Sequence, residues 1–259
     1  MYQFKGKVVW ITGASSGIGE ALVNLMVSLG AHVIASSNEA SELERVKNSV
    51  KGEGTIDTIS FDLSDTTGIE KIVSEQLNKT GRIDILVNLG GISQRARIDE
   101  TPLWLDRRIM EINYFGTIAL TKAVLPYMIK QGSGHVLATS SIAGRFGFPL
   151  RSAYSASKQA LHGFFETLHL ENKKHNVKAS VIIPGRVRTK ISFRALDPKV
   201  KHSEIRSGSG KGISPEKAAR QILNGIKKNK REILVGSTEL VMLYKEILAR
   251  AILQAGIKN

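Results

Sequence analysis

The sequence contains no cysteine, which excludes disulfide bonds, cysteine nucleophiles and cysteine-based metal sites. It also lacks the run of about 18 apolar residues that a membrane span requires, and residues 1–10 contain no long apolar stretch typical of a signal peptide. We therefore expect a soluble, cytoplasmic protein, since a reducing compartment suits a chain without disulfides. The six histidines show no metal-ligand spacing, so we predict no metal site.

The 259 residues, 42% of them hydrophobic, suffice for one substantial core, and we predict a single domain over residues 1–259. The net charge of +14 raises nucleic acid or anionic lipid as partners. However, the densest basic segments, 199–211 and 227–231, contain no aromatic side chains on which bases could stack. We predict no specific nucleic-acid partner and interpret the charge as a surface around an anionic cofactor; peripheral membrane contact stays open.

A short apolar strand, residues 7–12, leads into a glycine-rich turn and then a helix. The turn, residues 12–19, reads TGASSGIG. Between a strand and a helix, such a turn binds a pyrophosphate through backbone N–H groups and the helix N-terminus. After the second strand, residues 31–36, come Ser37 and Asn38. The absence of a carboxylate in residues 36–38 favours NADP over NAD, although no arginine is there either.

Tyr154 and Lys158 are four positions apart on a helix predicted over residues 152–174, so both side chains project from one face. A neighbouring ammonium favours phenolate, and lowering the phenol's pKa of about 10 by about three units requires about 4 kcal/mol. A close lysine in a dry pocket can supply that. Ser141 can hydrogen-bond the oxygen that Tyr154 protonates. The alternative is a packed ring beside a solvated charge; the other motifs favour a general acid/base pair.

Three positions have two interpretations each. Asp62 follows the third strand and is either a turn residue or a contact to adenine. Gly90 and Gly91 follow the fourth strand and allow close approach of a ligand, or form a plain turn. Asn113 lies inside a long helix predicted over 102–129, where asparagine costs stability. It marks a kink, a functional water site or a tolerated core residue.

Two segments near the end of the chain lack a single interpretation from pattern alone. Residues 186–212 show no periodicity and follow a strand's carboxyl end, so we predict a substrate lid there. Ser214 and Pro215 predict the N-cap and first residue of a helix. The apolar stretch 239–248, in a helix predicted over 238–255, packs on the core, on a partner or on a membrane surface.

Strands and helices alternate throughout, with seven predicted strands. This predicts an α/β fold, a single Rossmann-type doubly wound domain with a central parallel seven-stranded sheet and helices on both faces. With its motifs in this order, nearly the whole chain resembles the short-chain dehydrogenase/reductase family. The matching motifs are residues 12–19, Asp62, residues 88–91, Asn113, Ser141, Tyr154 with Lys158, and residues 184–189.

The resemblance implies a role for each matching residue. The catalytic set is Asn113, Ser141, Tyr154 and Lys158: Tyr154 is the acid/base, Lys158 lowers its pKa and holds the nicotinamide ribose, Ser141 orients the substrate oxygen, and Asn113 holds a water. The implied cofactor-binding residues are Gly13, Ser15, Ser16, Gly17, Ile18, Gly19, Ser37, Asn38, Asp62, Leu63, Asn88, Gly90, Tyr154, Lys158, Pro184, Gly185, Val187 and Thr189. Leu89 departs from the family, whose turn usually reads NNAG rather than NLGG.

Residues 8–20 and 81–95 look like the dehydrogenase/reductase member 7 subgroup, which reduces carbonyls of steroids, retinoids and xenobiotics with NADPH. The resemblance implies an NADP(H)-dependent oxidoreductase that interconverts a carbonyl and a secondary or primary alcohol on a small-to-medium apolar substrate. It also implies a homodimer or homotetramer formed by helices 102–129 and 152–174. The membrane anchor of animal members is not expected here. A non-catalytic dinucleotide-binding regulatory protein is the alternative. We expect Ser93, Gln94, Arg145 and Phe148 in the pocket wall.

Overall fold

The computed structural model describes residues 3–192, 194–197 and 212–237. Seven strands form one sheet: β1 (Val8–Thr12), β2 (His32–Ser37), β3 (Thr55–Ser60), β4 (Ile85–Asn88), β5 (Gly134–Thr139), β6 (Val177–Pro184) and β7 (Glu232–Val235). All neighbours pair in parallel, in the order β3-β2-β1-β4-β5-β6-β7. The predicted α/β class, strand number and parallel sheet are confirmed.

Seven α-helices cover the sheet in the described part: α1 (Gly17–Ser28), α2 (Ala40–Ser49), α3 (Ile69–Thr80), α4 (Leu103–Met110), α5 (Thr117–Gln131), α6 (Ser152–Asn172) and α7 (Pro215–Lys227). The start of α7 is as predicted. The side chain of Ser214 accepts a hydrogen bond from the N–H of Lys217 at 3.2 Å, and Pro215 is the first helical residue.

Alternation along β1 explains why helices lie on both faces. Val9 and Ile11 belong to the apolar cluster that includes residues of α1, α2 and α7. Val8 and Trp10 belong to a second cluster with residues of α3, α5 and α6. All five residues of β1 are buried, as expected for a parallel strand between two helical layers. The sequence of one strand therefore requires a three-layer structure.

The strand order reverses between β1 and β4, and two turns meet at that point. The glycine turn follows β1, and residues 88–91 follow β4. The hydroxyl oxygen of Thr12 accepts hydrogen bonds from the N–H groups of Leu89 at 3.1 Å and Gly90 at 3.0 Å. Leu89 also packs against the first apolar cluster. Backbone bonds to Thr12 thus support the turn in which Leu89 departs from the family.

The helix predicted over 102–129 is interrupted, and the interruption includes Asn113, for which a kink was one of three interpretations. Between α4 and α5 the backbone forms a π-helix, Glu111–Gly116. At Gly116, a Cβ would lie 2.2 Å from the carbonyl oxygen of Leu63, so a larger residue would clash. The wider turn accommodates this close approach, and π-helical turns are frequent at functional sites.

Part of the predicted lid and all of the predicted C-terminal helix, 238–255, lie outside the described residues. Within the lid, residues 186–192, 194–197 and 212 are described; Lys190–Ser192 form a short 3-10 turn, and Val187 pairs with Ile213 in an isolated bridge. Among the described residues, no helix combines the length and hydropathy needed to cross a bilayer.

Candidate active site

A cavity of about 880 Å³ opens at the carboxyl edge of the sheet, around the point where strand order reverses. Ligands of open α/β sheets bind in this position. The predicted site residues in its wall are Gly13, Ser15, Ser16, Gly17, Ile18, Gly19, Ser37, Asn38, Asp62, Leu63, Gly90, Ser141, Tyr154, Pro184, Gly185, Val187 and Thr189. Asn88, Asn113 and Lys158 lie behind the wall.

The turn at residues 12–19 requires glycine, because a side chain at these positions would strain the backbone or clash with neighbouring backbone atoms. Gly13 has φ +64° and Gly17 has φ +59°, conformations that L-residues rarely adopt. A Cβ on Gly13 would lie 2.8 Å from the N atom of Gly90, and one on Gly19 would lie 2.1 Å from the carbonyl oxygen of Gly13. This bare turn, followed by the N-terminus of α1, fits a pyrophosphate.

The end of β2 corrects the sequence analysis, which found no carboxylate there. Glu39 lines the cavity; its carboxylate accepts hydrogen bonds from the hydroxyl of Ser15 at 2.9 Å and from Arg194 at 3.0 Å. The bond from Arg194 lowers the pKa of Glu39 against the opposing effect of burial. Conversely, the hydroxyl of Ser36 is buried and accepts a bond from Trp10 at 3.0 Å, so it is directed away from a ligand.

Ser37, Asn38 and Asp62 lie nearby in the same wall. Asp62 is a turn residue, because one carboxylate oxygen accepts bonds from the backbone N–H of Ser64 at 2.8 Å and its hydroxyl at 2.7 Å. Burial opposes ionisation, but the bonds from Ser64 and the charge of Arg108 outweigh it and lower the pKa of Asp62. Since Asp62 also lines the cavity, the predicted contact to adenine stays a prediction.

Tyr154 and Ser141 meet at the cavity. Ser141 follows β5 and lies close enough to the phenol of Tyr154, which α6 carries, to act on its pKa. The Ser141 hydroxyl oxygen also accepts the N–H of Ala143 at 3.1 Å, which leaves its own proton for a partner. Burial raises the pKa of Tyr154, while Ser141 and Arg151 act to lower it. Burial dominates, and Lys158 is not among the groups that lower this pKa, so the expected effect of Lys158 is not met.

Lys158 lies one turn after Tyr154 and is only 3% exposed. Its Nζ is 5.8 Å from the centroid of the Tyr154 ring and donates to the carbonyl of Thr139 at 2.8 Å. Burial lowers the pKa of Lys158 to about 8. A Cβ on Gly91 would lie 3.3 Å from this Nζ, so glycine allows the turn to pass close to the ammonium. The alternative of a solvated lysine is therefore wrong.

Both predicted asparagines have buried hydrogen-bond partners. The side chain of Asn113 accepts the N–H of Ile92 at 2.8 Å and donates to its carbonyl and to Ser157, each at 3.0 Å. Asn88 donates to the carbonyl of Leu137 at 3.1 Å. Each amide thus fixes a neighbouring segment; the water expected at Asn113 and the cofactor contact expected at Asn88 stay predictions.

The wall contains residues that were not predicted, and it lacks two of the four residues that were expected in the pocket wall. Besides Glu39 and Arg194, the missed residues include Arg95 and Arg151, whereas Ser93 and Phe148 line the cavity as expected. Gln94 is instead buried and accepts the N–H of Tyr154 at 3.2 Å, and Arg145 forms an ion pair with Glu232. Only Arg151 had a sequence signal: it precedes Tyr154 by three positions, the spacing of one helical face.

One group of potential metal ligands lies outside the cavity. Ligand atoms of His162, Glu166 and Glu232 lie within 4.8 Å of one another, a proximity that sequence spacing did not reveal. Arg145 already forms an ion pair with Glu232. The Nε2 of His162 is 2.8 Å from the hydroxyl of Ser140. Two of the three potential ligands, Glu232 and His162, therefore already have protein partners.

Comparison with known proteins gives consistent matches. A family model described as short chain dehydrogenase matches residues 7–198. A Drosophila melanogaster protein, dehydrogenase/reductase SDR family protein 7-like, is 39% identical over 248 residues, covering 93% of this chain and 76% of the relative. The Mus musculus dehydrogenase/reductase SDR family member 7B is 35% identical over 237 residues, covering 89% and 73%.

Solved structures agree with these matches. A short-chain dehydrogenase/reductase from Burkholderia phymatum in complex with NAD has a TM-score of 0.85 at 22% identity, covering 100% of this chain and 98% of that one, which shows the shared fold. A metagenomic short-chain oxidoreductase in complex with NADP has a TM-score of 0.68 at 30% identity, covering 71% and 84%. The chain therefore belongs to the short-chain dehydrogenase/reductase family, whose members are oxidoreductases that bind a nicotinamide dinucleotide.

Proposed function

We propose that this protein is an NADP(H)-dependent oxidoreductase that interconverts a carbonyl and a secondary or primary alcohol on a small-to-medium apolar substrate, with Tyr154 as the acid/base. The observation that carries the proposal is the meeting of Tyr154 and Ser141 in the cavity that the glycine turn also lines. Apolar side chains in the same wall, Ile92, Ile142 and Phe148, support an apolar part of the substrate.

The residues of the chain handle the proton. When bound, the nicotinamide dinucleotide supplies or accepts the hydride. Because its pKa is raised, Tyr154 is protonated at neutral pH and can donate its proton to the carbonyl oxygen during reduction. Ser141 orients that oxygen, and Lys158 provides the adjacent positive charge that stabilises the resulting phenolate. Alcohol oxidation uses the same groups in reverse, and we expect its rate to rise with pH because it needs the phenolate.

NADP(H) is the proposed cofactor. The pyrophosphate would lie on residues 13–19 and the adenosine ribose near Ser37 and Asn38. The guanidinium of Arg194 compensates the negative charge of Glu39. This supports the binding of a 2′-phosphate there, because the repulsion by Glu39 is reduced. Fluorescence titration with NADPH and NADH tests this: we expect tighter binding of NADPH, and tighter binding of NADH would contradict the cofactor assignment.

The test of the reaction is Tyr154→Phe, with Tyr127→Phe as a matched control on the exposed surface of α5. Loss of the acid/base should lower kcat by about 10²–10⁴-fold, with little change in the Kd for NADPH. The control should retain the wild-type rate. A Tyr154→Phe variant that keeps its rate would contradict the mechanism; cofactor binding without turnover of any carbonyl would favour the regulatory alternative.

The proposed assembly is a homodimer or homotetramer formed through residues 102–129, which include α4, the π-helix and most of α5, and residues 152–174, which include α6. Large apolar side chains support it: Phe115, Tyr127 and Leu170 are exposed on the π-helix, α5 and α6. Sedimentation of the wild type and of Tyr127→Glu tests it, because a charge in a buried interface should shift the mass toward the monomer. The expected cytoplasmic location stays a prediction, which fractionation of cells that express the tagged chain would test.

A further inference from the structure

Four arginines in the cavity wall, Arg95, Arg151, Arg186 and Arg188, belong to none of the ion pairs among the described residues, and for two of them, Arg95 and Arg151, the charge of one acts on the other. Arg95 and Arg151 both line the cavity. Arg151 donates to the hydroxyl of Ser93, a neutral acceptor that is itself buried. None of the ion pairs in residues 3–192, 194–197 and 212–237 includes either guanidinium. Six other arginines do form such pairs: Arg45, Arg82, Arg97, Arg108, Arg145 and Arg194.

The backbone brings these two arginines together, because the N–H of Ala96 donates to the carbonyl of Leu150 at 3.3 Å. Burial lowers the pKa of Arg151, the phenol of Tyr154 opposes this, and the charge of Arg95 lowers it further. Arg95 and Arg151 are each partly buried. Like charges held together in a partly buried wall without an anion cost free energy, which a bound anion would offset.

The position of this arginine pair relates it to the reacting atoms. Arg151 directly precedes the first residue of α6, and its guanidinium carbon is 5.9 Å from the centroid of the Tyr154 ring. The adjoining wall includes Phe148 and Leu150, whereas the glycine turn that fits the pyrophosphate contacts Glu39 and Thr189 instead. Arg151 therefore lies beside the predicted reacting atoms, and the bond between Ala96 and Leu150 brings the segment of Arg95 to the same part of the wall.

We propose that Arg95 and Arg151 bind an oxyanion of the substrate, a carboxylate or a phosphate group. The inference rests on the proposed function, and it names a carbonyl compound that is amphipathic rather than wholly apolar. Guanidinium groups bind both oxyanions through paired, charge-assisted hydrogen bonds. The carbonyl carbon then lies at Tyr154, and the apolar remainder packs against Ile142 and Phe148.

Binding tests the anion site without turnover. Benzoate, phenyl phosphate and neutral benzamide are titrated calorimetrically into the protein, with and without NADPH. A charge-assisted hydrogen bond is stronger than one between neutral groups, so we expect at least one anion to bind about tenfold or more tightly than benzamide. The tighter of the two anions identifies the oxyanion. Equal binding of all three probes would overturn the proposal.

A matched variant separates the site from the general positive charge of the protein. Arg95→Met should abolish the preference for the anion, and Arg95→Lys should retain part of it. Arg97→Met is the control, because Arg97 is exposed, two residues away and paired with Asp99 at 3.0 Å. If Arg97→Met weakens anion binding as much as Arg95→Met does, the effect is surface charge and the proposal fails.

Turnover distinguishes failure of this inference from failure of the proposed function. With NADPH, 4-acetylbenzoate should have a kcat/KM about tenfold or more above that of its methyl ester, mainly through a lower KM, and Arg95→Met should reduce that ratio. Equal or faster reduction of the ester contradicts the anion site alone. If neither ketone is reduced while benzoate binding still depends on Arg95, the anion site stands and the proposed reaction fails.

Discussion

Buried charged groups at the two ends of the sheet differ in their partners. At the end where the strands begin, Asp84 is 6% exposed, and its carboxylate accepts bonds from Lys7 at 3.0 Å, Arg82 at 2.6 Å and the N–H of Val8 at 2.9 Å. At the carboxyl edge, Lys158 is as deeply buried but bonds to the carbonyl of Thr139, and in the described part it has no carboxylate partner.

This difference separates charges that hold the fold from charges that serve chemistry. A buried charge with opposite charges around it stabilises its surroundings only while the set is complete. A buried charge without such partners lowers the stability of the fold. Such a charge is found at functional sites, where catalysis or binding uses its perturbed pKa or its capacity to bind a ligand. The comparison therefore predicts that substitutions at the two ends separate stability from activity.

The largest expected effect is on activity, from Lys158→Met. The variant loses the cation beside Tyr154, and we expect kcat/KM to fall about 10²-fold or more. The melting temperature should stay unchanged or rise, because a buried ammonium whose pKa is lowered to about 8 is replaced by an apolar side chain. Steady-state kinetics and thermal unfolding measure the two effects. Lys122→Met, on the exposed side of α5, is the control; a large loss of stability with activity retained would reverse the comparison.

The next effect is on stability, from Asp84→Asn. Two cations and one N–H lose their acceptor charge, so we expect a loss of about 2–3 kcal/mol in the free energy of unfolding, with the Kd for NADPH unchanged. Urea denaturation and cofactor titration check both. Glu53→Gln, in an exposed pair with Lys5, should cost under about 1 kcal/mol. A weakened cofactor in the Asp84→Asn variant would contradict the separation.

The contribution of Asp84 to stability depends on pH. Burial acts to raise the pKa of Asp84, but the bonds from Arg82, Val8 and Lys7 outweigh it and lower the pKa. The stabilisation is therefore complete above the unfolded pKa of about 4 and is lost as pH falls through the lower folded value. Asp84→Asn should flatten this acid limb.

A smaller, separate pH effect is expected from His135 at the same end. Its Nε2 is 2.7 Å from the hydroxyl of Ser180, which donates to the carbonyl of Lys230, so His135 is the donor in that contact. Its buried Nδ1 has no hydrogen-bond partner, and burial lowers the pKa of His135 to about 3.

Below about pH 6.5 His135 is therefore protonated in the unfolded chain but not in the folded chain. The free energy of unfolding then falls by up to about 1.4 kcal/mol for each unit by which the pH decreases. His135→Asn should reduce this slope between pH 6.5 and 5, as measured by urea denaturation at each pH. His175→Asn, on the short turn after α6, is the control. If His175→Asn reduces the pH dependence of the free energy of unfolding and His135→Asn does not, His135 is not the group responsible.

The sequence predicted the features that local pattern controls. The apolar run at residues 7–12 predicted the buried strand β1, and a kink was one of three interpretations of Asn113, which lies in the π-helix. The contacts between distant segments were not predictable: Glu39 meets Arg194 across 155 positions, and Arg151 meets Ser93 across 58. These contacts depend on the path of each loop beyond its strand, and neither periodicity nor spacing specifies that path.

The smallest expected effect concerns Glu39, a carboxylate at the carboxyl edge that has a cationic partner, Arg194. Glu39 and Arg194 have side chains 32% and 49% exposed, so their pair contributes under about 1 kcal/mol to stability. If the pair serves binding instead, Glu39→Gln should favour NADPH over NADH by about fivefold, since about 1 kcal/mol of repulsion with a 2′-phosphate is removed. Arg194→Ala should shift the ratio the other way, because it exposes the charge of Glu39.

Fluorescence titrations at low and high salt measure both ratios, and salt should reduce each effect because the site is partly exposed. Glu42→Gln, an exposed carboxylate three positions along α2 that pairs with Arg45 at 2.7 Å, is the control. An equal change in the control would assign the effect to general surface charge. A loss of stability in Glu39→Gln with no change in the ratio would group this pair with Asp84, as a charge that holds the fold despite lying at the functional edge.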